Sequence, residues 1–258
     1  MDTPAPGQLY DFPQYYALAF SYRDLAREVG VMEECVRRYS QIPVVRVLEI
    51  CCGHAPHIEA LHERGYRYIG IDINGPMLAL ARGRAMRCRA DADLVRGRLT
   101  DFALAAPADF AFVALASLYV TSTDELRAHF DAMARALRPG ALYLMEWCVD
   151  FDPMVDVVDS WEIERDGVRI QASYWSRSVN RVEQLYEDTL HLEVNDRGKR
   201  LTLEDKSLRR RIFPQEFLAF VRDHTRFEFV GWFEDWDLDR PVTGEHGVDR
   251  PIVLVRRK

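Results

Sequence analysis

Apolar positions in the first part of the chain come in short runs separated by stretches of helical spacing. Residues 44–50 (Val44-Val45-Arg46-Val47-Leu48-Glu49-Ile50) read as a strand, followed by a turn and a helix over about 56–64. Pro56 suits the first turn of that helix, where its missing N–H is no loss. A second strand covers 66–73, and Pro76 opens a second helix carrying Met77, Leu78 and Leu80. A weaker third strand spans 93–98 and a fourth 109–115. Ser122-Thr123-Asp124-Glu125 has the spacing of a capping box, and Leu126, Phe130, Met133 and Leu137 follow on one helical face. Pro139-Gly140 stops that helix before a fifth strand at 141–146. Strands alternating with helices predict βαβ units around a parallel sheet.

After Asp150 the pattern changes. Residues 168–176, 182–194 and 201–213 read as long, partly alternating strands, with Asp196-Arg197-Gly198 as a turn between two of them. Pro214 opens another helix through about His224, and 227–233 and 252–255 complete the sheet. The expected architecture is an α/β core with an antiparallel β insertion.

Two segments carry candidate chemistry. Val47-Leu48-Glu49-Ile50-Cys51-Cys52-Gly53-His54-Ala55 ends the first strand, and Ile69-Gly70-Ile71-Asp72-Ile73 ends the second with an acid. Glu49 and Asp72 are 23 positions apart, close to the roughly 20 residues between a nucleotide-binding loop and the acid that grips ribose hydroxyls. Small loop residues admit a ligand close to the backbone. Asp72 taken alone also fits a helix-capping acid.

These residues resemble the class I S-adenosylmethionine-dependent methyltransferases. The family's first motif looks like V-L-D-x-x-C-G-x-G, matched by Val47, Leu48, Cys52 and Gly53, with Glu49 in place of Asp. Its second resembles G-I-D-x-x-x-x-M-L-x-x-A, matched by Gly70, Ile71, Asp72, Met77, Leu78 and Ala81. Leu137-Arg138-Pro139-Gly140 is similar to the L-x-P-G-G before the fifth strand. Tyr15, Tyr16, Tyr22 and Arg23 ahead of the first motif, with long antiparallel strands after the fifth, make the layout similar to glycine N-methyltransferases and amino-sugar N,N-dimethyltransferases.

The resemblance implies a Rossmann-like, seven-stranded, mostly parallel sheet with an N-terminal helical lid (1–40) and a cofactor-binding core (41–150). An antiparallel β insertion (151–213) and the end of the core sheet (214–258) complete it. It assigns S-adenosyl-L-methionine to Tyr16, Arg23, Glu49, Cys51, Gly53, Asp72, Ile73, Met77, Leu99, Asp101 and Leu115. Arg23 and Tyr16 are expected at the methionine end, since an Arg fork matches a carboxylate; Arg23 as a solvated surface residue near Asp24 or Glu28 is the plainer alternative. Tyr119 and Glu146 are the candidates for orienting the acceptor. Acceptor choice falls to the insertion from about Trp161 to Phe213, with Trp175 and Arg210 as positions to test; dimerisation by strand packing is another use of the same strands.

The sequence departs from the family pattern in places. Ala55 replaces the last motif glycine and Cys51 stands where many members have Gly, so the loop is expected to be slightly reshaped. Arg98 occupies the place of an acid that contacts adenine, leaving the Leu99 N–H and Asp101 for that role. Cys51, Cys52, His54 and His57 offer ligands suited to zinc, but they lie in the loop the resemblance gives to the cofactor, and there is no C-x-x-C pair; no metal is expected. Cys51-x-Gly53-x-x-Pro56 is a poor substitute for the G-x-G-x-x-G of a dinucleotide dehydrogenase.

Composition narrows the partners. The 258 residues carry 34 Lys+Arg against 41 Asp+Glu, a net charge of −7, which argues against a dedicated nucleic-acid binder despite the cluster Arg209-Arg210-Arg211. No apolar run approaches the roughly 20 residues of a membrane helix. The N-terminus lacks the basic flank and apolar core of a signal peptide. Five cysteines without such a signal read as free thiols, and a cytoplasmic enzyme is the default. The reading is methyl transfer to nitrogen or oxygen of a small-molecule acceptor. The alternatives are an RNA or protein methyltransferase on the same core, from which Ala114-Leu115-Ala116-Ser117 departs by lacking an N-P-P-Y-like segment, and a cofactor-binding scaffold without turnover.

Overall fold

The computed structural model describes residues 7–152, 156–223, 226–244 and 248–258. The chain begins with β1 (Gly7–Gln8), α1 (Pro13–Ala19) and α2 (Leu25–Tyr39). It continues through β2 (Arg46–Ile50), α3 (Ile58–Glu63), β3 (Arg67–Asp72), α4 (Gly75–Cys88), β4 (Ala92–Arg96), β5 (Ala108–Val113), α5 (Thr123–Ala136) and β6 (Leu137–Glu146). Four long strands follow: β7 (Val157–Arg165), β8 (Val168–Asn180), β9 (Leu185–Asp196) and β10 (Lys199–Arg210). Then come α6 (Pro214–Asp223), β11 (Phe227–Phe233) and β12 (Ile252–Arg257). The far end of the helix expected to reach His224 lies outside the described residues. Among the described residues no helix is long and apolar enough to cross a membrane.

Seven strands form one sheet in the order β11-β12-β6-β5-β2-β3-β4, parallel from β6 to β4 and antiparallel at β12 and β11. Alternation along the central strands sorts their side chains onto two faces. Val47, Phe110, Phe112, Leu142 and Leu144 pack with Val29 and Met32 of α2, Leu61 of α3 and Leu78 of α4. Leu48, Ile50, Ala111, Val113 and Tyr143 pack with Phe130 and Met133 of α5 and Phe217 of α6. Apolar residues on both faces are what a parallel sheet covered by helices requires. The chain moves outward from β2 to β4 and returns to place β5 on the other side of β2. That reversal opens a crevice beyond the carboxyl ends of β2 and β5, where ligands bind in open α/β sheets.

The second sheet, in the order β1-β10-β9-β8-β7, is antiparallel from β10 to β7, with short β1 parallel to β10. Its far rows, Ile170, Ala172, Leu192, Val194 and Leu203, bury Leu9, Tyr15 and Ala19. Two polar bonds fix the same contact: Tyr15 OH donates to Asp196 Oδ2 at 2.9 Å and Trp161 Nε1 to Ala19 O at 2.8 Å.

The structure differs from the sequence reading in three elements. β7 was absent from it; its residues are mostly exposed and four of the nine are charged, as suits an edge strand. Asp166-Gly167, at φ 53° and 80°, closes the β7–β8 hairpin; both positive values fit the two-residue turn that Asp-Gly favours. Pro139-Gly140 does not stop a helix. The helix ends at Ala136 and β6 starts at Leu137, with a register shift between Ala108 and Phe110 of the neighbouring strand. The third helix starts at Ile58, two residues later than the proline suggested.

Gly70 sits in the middle of β3, where an added Cβ would lie 2.8 Å from Cys52 Sγ, Leu94 Cδ2 and Tyr68 Cε1. Gly70→Ala should therefore destabilise by about 2 kcal/mol, the usual cost of overpacking. Urea unfolding checks this, and an unchanged midpoint would show that the strand yields more readily than its packing implies.

Candidate active site

The loop after β2 turns sharply because three of its residues take left-handed backbone: Cys51 (φ 54°), Gly53 (φ 53°) and Ala55 (φ 52°). For Cys51 and Ala55 this costs about 1 kcal/mol each. Ala55 thus keeps the glycine-like conformation, and the expected reshaping at that position does not occur. Cys52 N–H donates to Ile71 O at 2.9 Å, tying the loop to β3. Asp72 accepts Gly53 N–H on Oδ2 and Asn74 N–H on Oδ1, both at 2.7 Å. Burial raises the Asp72 carboxyl, and these two amides oppose that rise. The cap of α4 is Asn74, which accepts Met77 N–H at 2.9 Å, so Asp72 is free of that duty.

The other expected cofactor residues surround this loop. Met77 is buried, with Sδ 3.9 Å from where a Cβ on Gly53 would stand. Ile73 is exposed. Gly97 N–H donates to Asp72 O at 3.0 Å, so the following turn is anchored to β3. In that turn Arg98 bridges Asp101, which is exposed, and Leu99 O bonds His129 Nδ1 at 2.8 Å.

A second strained loop follows β5, with Leu115 at φ 51° and Ala116 at φ 54°. Glu146 holds it: Leu115 N–H donates to Glu146 Oε2 at 2.8 Å and Ala116 N–H to Glu146 O at 3.2 Å. Glu146 Oε1 accepts Trp236 Nε1–H at 2.8 Å and Arg250 Nε–H at 3.0 Å. Fully buried, with both oxygens engaged and outside the cavity lining, Glu146 is placed to position this loop. It is not placed to touch an acceptor, as the sequence reading expected.

Glu49 is likewise engaged, by Tyr68 OH at 2.6 Å on Oε2 and His57 Nδ1 at 2.9 Å on Oε1. His57 Nε2 meets Glu28 Oε2 at 3.0 Å. Glu28 also takes Arg23 and Arg250. Burial alone would lower the His57 pKa, but Glu49 and Glu28 on its two nitrogens outweigh it and raise it. Burial would raise Glu28, yet His57 and Arg23 hold it down to about 2. Arg23, only 4% exposed, lies within this cluster. It is neither a solvated surface residue nor an open fork, since Nε and Nη2 both bond Glu28.

A cavity of about 500 Å³ opens beside the loop after β5. Tyr16, Leu115 and Tyr119 line it, as do Tyr10, Trp147 and the inner face of the second sheet through Tyr174, Asp188, Asp205 and Arg209. The sequence reading missed two of these, Tyr174 and Arg209, by one position. Arg209 and Arg211 face the cavity while Arg210 points away to Thr123, Gln184 and Glu216, and Tyr174 lines it while Trp175 rings with His191. A period of two makes that phase decisive. Glu28 was also missed. An acid on the buried stripe shared with Met32 and Cys35 was the available signal.

Residues 47–140 match the family model described as a methyltransferase domain. The dTDP-4-amino-2,3,4,6-tetradeoxy-D-glucose N,N-dimethyltransferase of Saccharopolyspora spinosa is 26% identical over 215 residues, 83% of this chain and 75% of that one. Streptomyces venezuelae DesVI has a crystal structure similar at TM-score 0.77 and 22% identity, over 96% of this chain and 98% of that one. S-adenosylmethionine-bound CalS10, an amino pentose methyltransferase from Micromonospora echinaspora, is similar at TM-score 0.71 and 20% identity over the whole of both chains. The chain carries a methyltransferase domain and resembles the class I S-adenosylmethionine-dependent enzymes.

The loops of this methyltransferase fit that cofactor. Left-handed backbone at Gly53 leaves room above it for close approach of a ligand. His54 Nδ1 is buried without a hydrogen-bond partner, and burial, helped by Arg84, Arg23 and His57, holds that ring down to about 3, hence neutral. An orphaned polar atom beside such a loop is a place for a polar ligand.

His57→Gln should cost about 3 kcal/mol, because it removes the cation between two buried carboxylates. A raised folded pKa contributes stability that is full below the ordinary value of 6.5 and is lost as pH rises through the folded value. The gap between wild type and His57→Gln in urea unfolding should therefore narrow as pH rises above about 6.5. A gap that widens instead would place a neutral ring at His57.

Proposed function

We propose that this methyltransferase methylates an amino group of a small, polar acceptor held in the 500 Å³ cavity. The carrying observation is that one cavity is walled by Leu115 of the strained loop after β5, by Tyr16 of the N-terminal helix and by the inner face of the second sheet. The reading draws support from relatives named as N,N-dimethyltransferases of amino sugars.

In this reading Asp72 takes the ribose hydroxyls with the lone pairs that Gly53 and Asn74 leave free, and the loop at Cys51 and Gly53 approaches the cofactor closely. Ile73, Met77, Leu99 and Asp101 flank the adenosine side. Tyr16 and Arg23 stand toward the methionine side, with Arg23 acting from its bond to Glu28. Glu49 shapes the loop through His57. Bound S-adenosylmethionine supplies a sulfonium methyl, whose S–C bond breaks toward sulfur as the acceptor's lone pair takes the carbon.

The leaving thioether needs no proton, so the protein's part is placement, worth on the order of 7–11 kcal/mol for a well-aligned pair. An amine must also lose its proton before it can attack. Tyr119 lines the cavity, but burial, with Asp188 adding, raises its hydroxyl well above the ordinary value. At neutral pH it therefore donates a hydrogen bond and orients the acceptor, and does not serve as a base.

Asp72→Asn removes an acceptor charge, and hydrogen bonds to charged groups contribute roughly 1.5–3 kcal/mol. Calorimetry should find cofactor affinity at least about tenfold weaker; an equal affinity would remove Asp72 from the site. Sheet phase gives a paired test. Tyr174→Ala should raise the acceptor KM several-fold while Trp175→Ala leaves it unchanged, both at wild-type cofactor affinity. The reverse order would put the acceptor on the other face of the sheet.

A further inference from the structure

Strand register sets what the cavity offers an acceptor. Asp159, Tyr174, Leu190 and Asp205 stand in one row across β7, β8, β9 and β10. Two residues along, on the same face, Val157, Ser176, Asp188 and Ser207 form the next row. With Asp150 and Asp152, the described lining carries five carboxylates against two guanidiniums. Both guanidiniums already have carboxylate partners. Arg209 Nε is 2.8 Å from Asp188 Oδ2, and Arg211 Nε is 3.0 Å from Asp150 Oδ2. Asp152, Asp159 and Asp205 remain in excess.

Asp188, 3% exposed, lines the cavity with Oδ2 on Arg209 and with Tyr174 close enough to bond the carboxylate. Its Oδ1 is buried with no hydrogen bond of ordinary geometry.

Resting on the amine-methylation reading, we infer that the acceptor is a cationic amine carrying no phosphate, held by the carboxylates of the second sheet's inner face. Relatives named for dTDP-linked sugars act on acceptors with a diphosphate. Here a diphosphate would meet three unneutralised carboxylates, and the described lining offers it no cation without a carboxylate partner. An ammonium group meets the opposite situation, with the aromatic faces of Trp147, Trp161 and Tyr10 adding cation–π attraction.

Asp205 is the best placed of the acids. Ser207 Oγ donates to its Oδ2 at 2.8 Å. Burial raises the Tyr10 and Tyr16 hydroxyls, and the charges of Asp205 and Asp72 both add to that rise. Asp72, the acid at the end of β3, and Asp205 are thus both near the two tyrosines. Burial also raises Asp205 itself, against the Ser207 bond.

The test titrates three probes into protein saturated with S-adenosylhomocysteine: the methyl glycoside of an amino sugar, the thymidine diphosphate ester of the same sugar, and a phosphate-free aminoglycoside. At least one phosphate-free amine should bind tenfold or more tighter than the ester. Asp205→Asn should weaken that amine at least tenfold while S-adenosylhomocysteine affinity holds. Binding of the ester as tightly as the amines overturns the inference, as does binding by neither amine, or unchanged amine affinity in Asp205→Asn. Failure of S-adenosylhomocysteine to bind the wild type would overturn the methyltransferase reading instead, whatever the acceptor.

Discussion

Three glutamates are buried at the carboxyl edge of the main sheet, and neutralising them organises the site. Glu28, Glu49 and Glu146 are at most 3% exposed. Arg23, Arg250 and the His57 ring, bonded to a carboxylate on each nitrogen, are their partners. Buried carboxylates are tolerated only when such partners and hydrogen bonds compensate for lost water. The members come from α2, β2, β6, the loop before α3 and the segment before β12, so the cluster forms only when all of these have met. Both strained loops hang from it: His57 closes the first, and Glu146 holds the Leu115 amide of the second.

That arrangement explains how so much left-handed backbone persists in one place. Cys51, Ala55, Leu115, Ala116, Trp147 and Arg250 all have φ between 39° and 54°. Strain of this kind survives where surrounding structure over-determines it, and it clusters at functional sites. Trp147 N–H bonds Pro251 O at 2.9 Å, and Arg250 reaches Glu146 and Glu28, so the segment before β12 clamps both the end of β6 and the second helix.

The parallel core and the motif loop were legible in the sequence because their information is local. Apolar runs of strand length and an acid at the end of β3 need no knowledge of tertiary contacts. The ion cluster was not legible, since its members are spread from Arg23 to Arg250 and only folding brings them together. Glu146 illustrates the gap. Its place at the end of the fifth strand was readable, but its partners Trp236 and Arg250, 90 and 104 residues away, decide that it positions a loop. β7 was missed although Trp161-Glu162-Ile163-Glu164 alternates and Asp166-Gly167 marked its hairpin. For the cavity lining, Tyr174 and Arg209 stand one position from the Trp175 and Arg210 that the sequence singled out. A run such as Arg209-Arg210-Arg211 contains both faces and does not say which points inward.

The two halves of the chamber obey different constraints. The cofactor side is built from strand ends whose loops are strained and fixed by a cooperative ion cluster, so a change at one member propagates to the others. The acceptor side is the face of an antiparallel sheet, where every second residue looks into the cavity and its neighbours look away. Substitution there alters one side chain and leaves the backbone ladder intact. Its far rows are secured separately, by Leu9, Tyr15 and Ala19 packing on Ile170, Leu192 and Leu203. Support for the fold and the lining of the cavity therefore fall on different rows of the same strands. A sheet divided in this way can change the charge it presents to the cavity without disturbing the strained loops at the ends of the main sheet's strands.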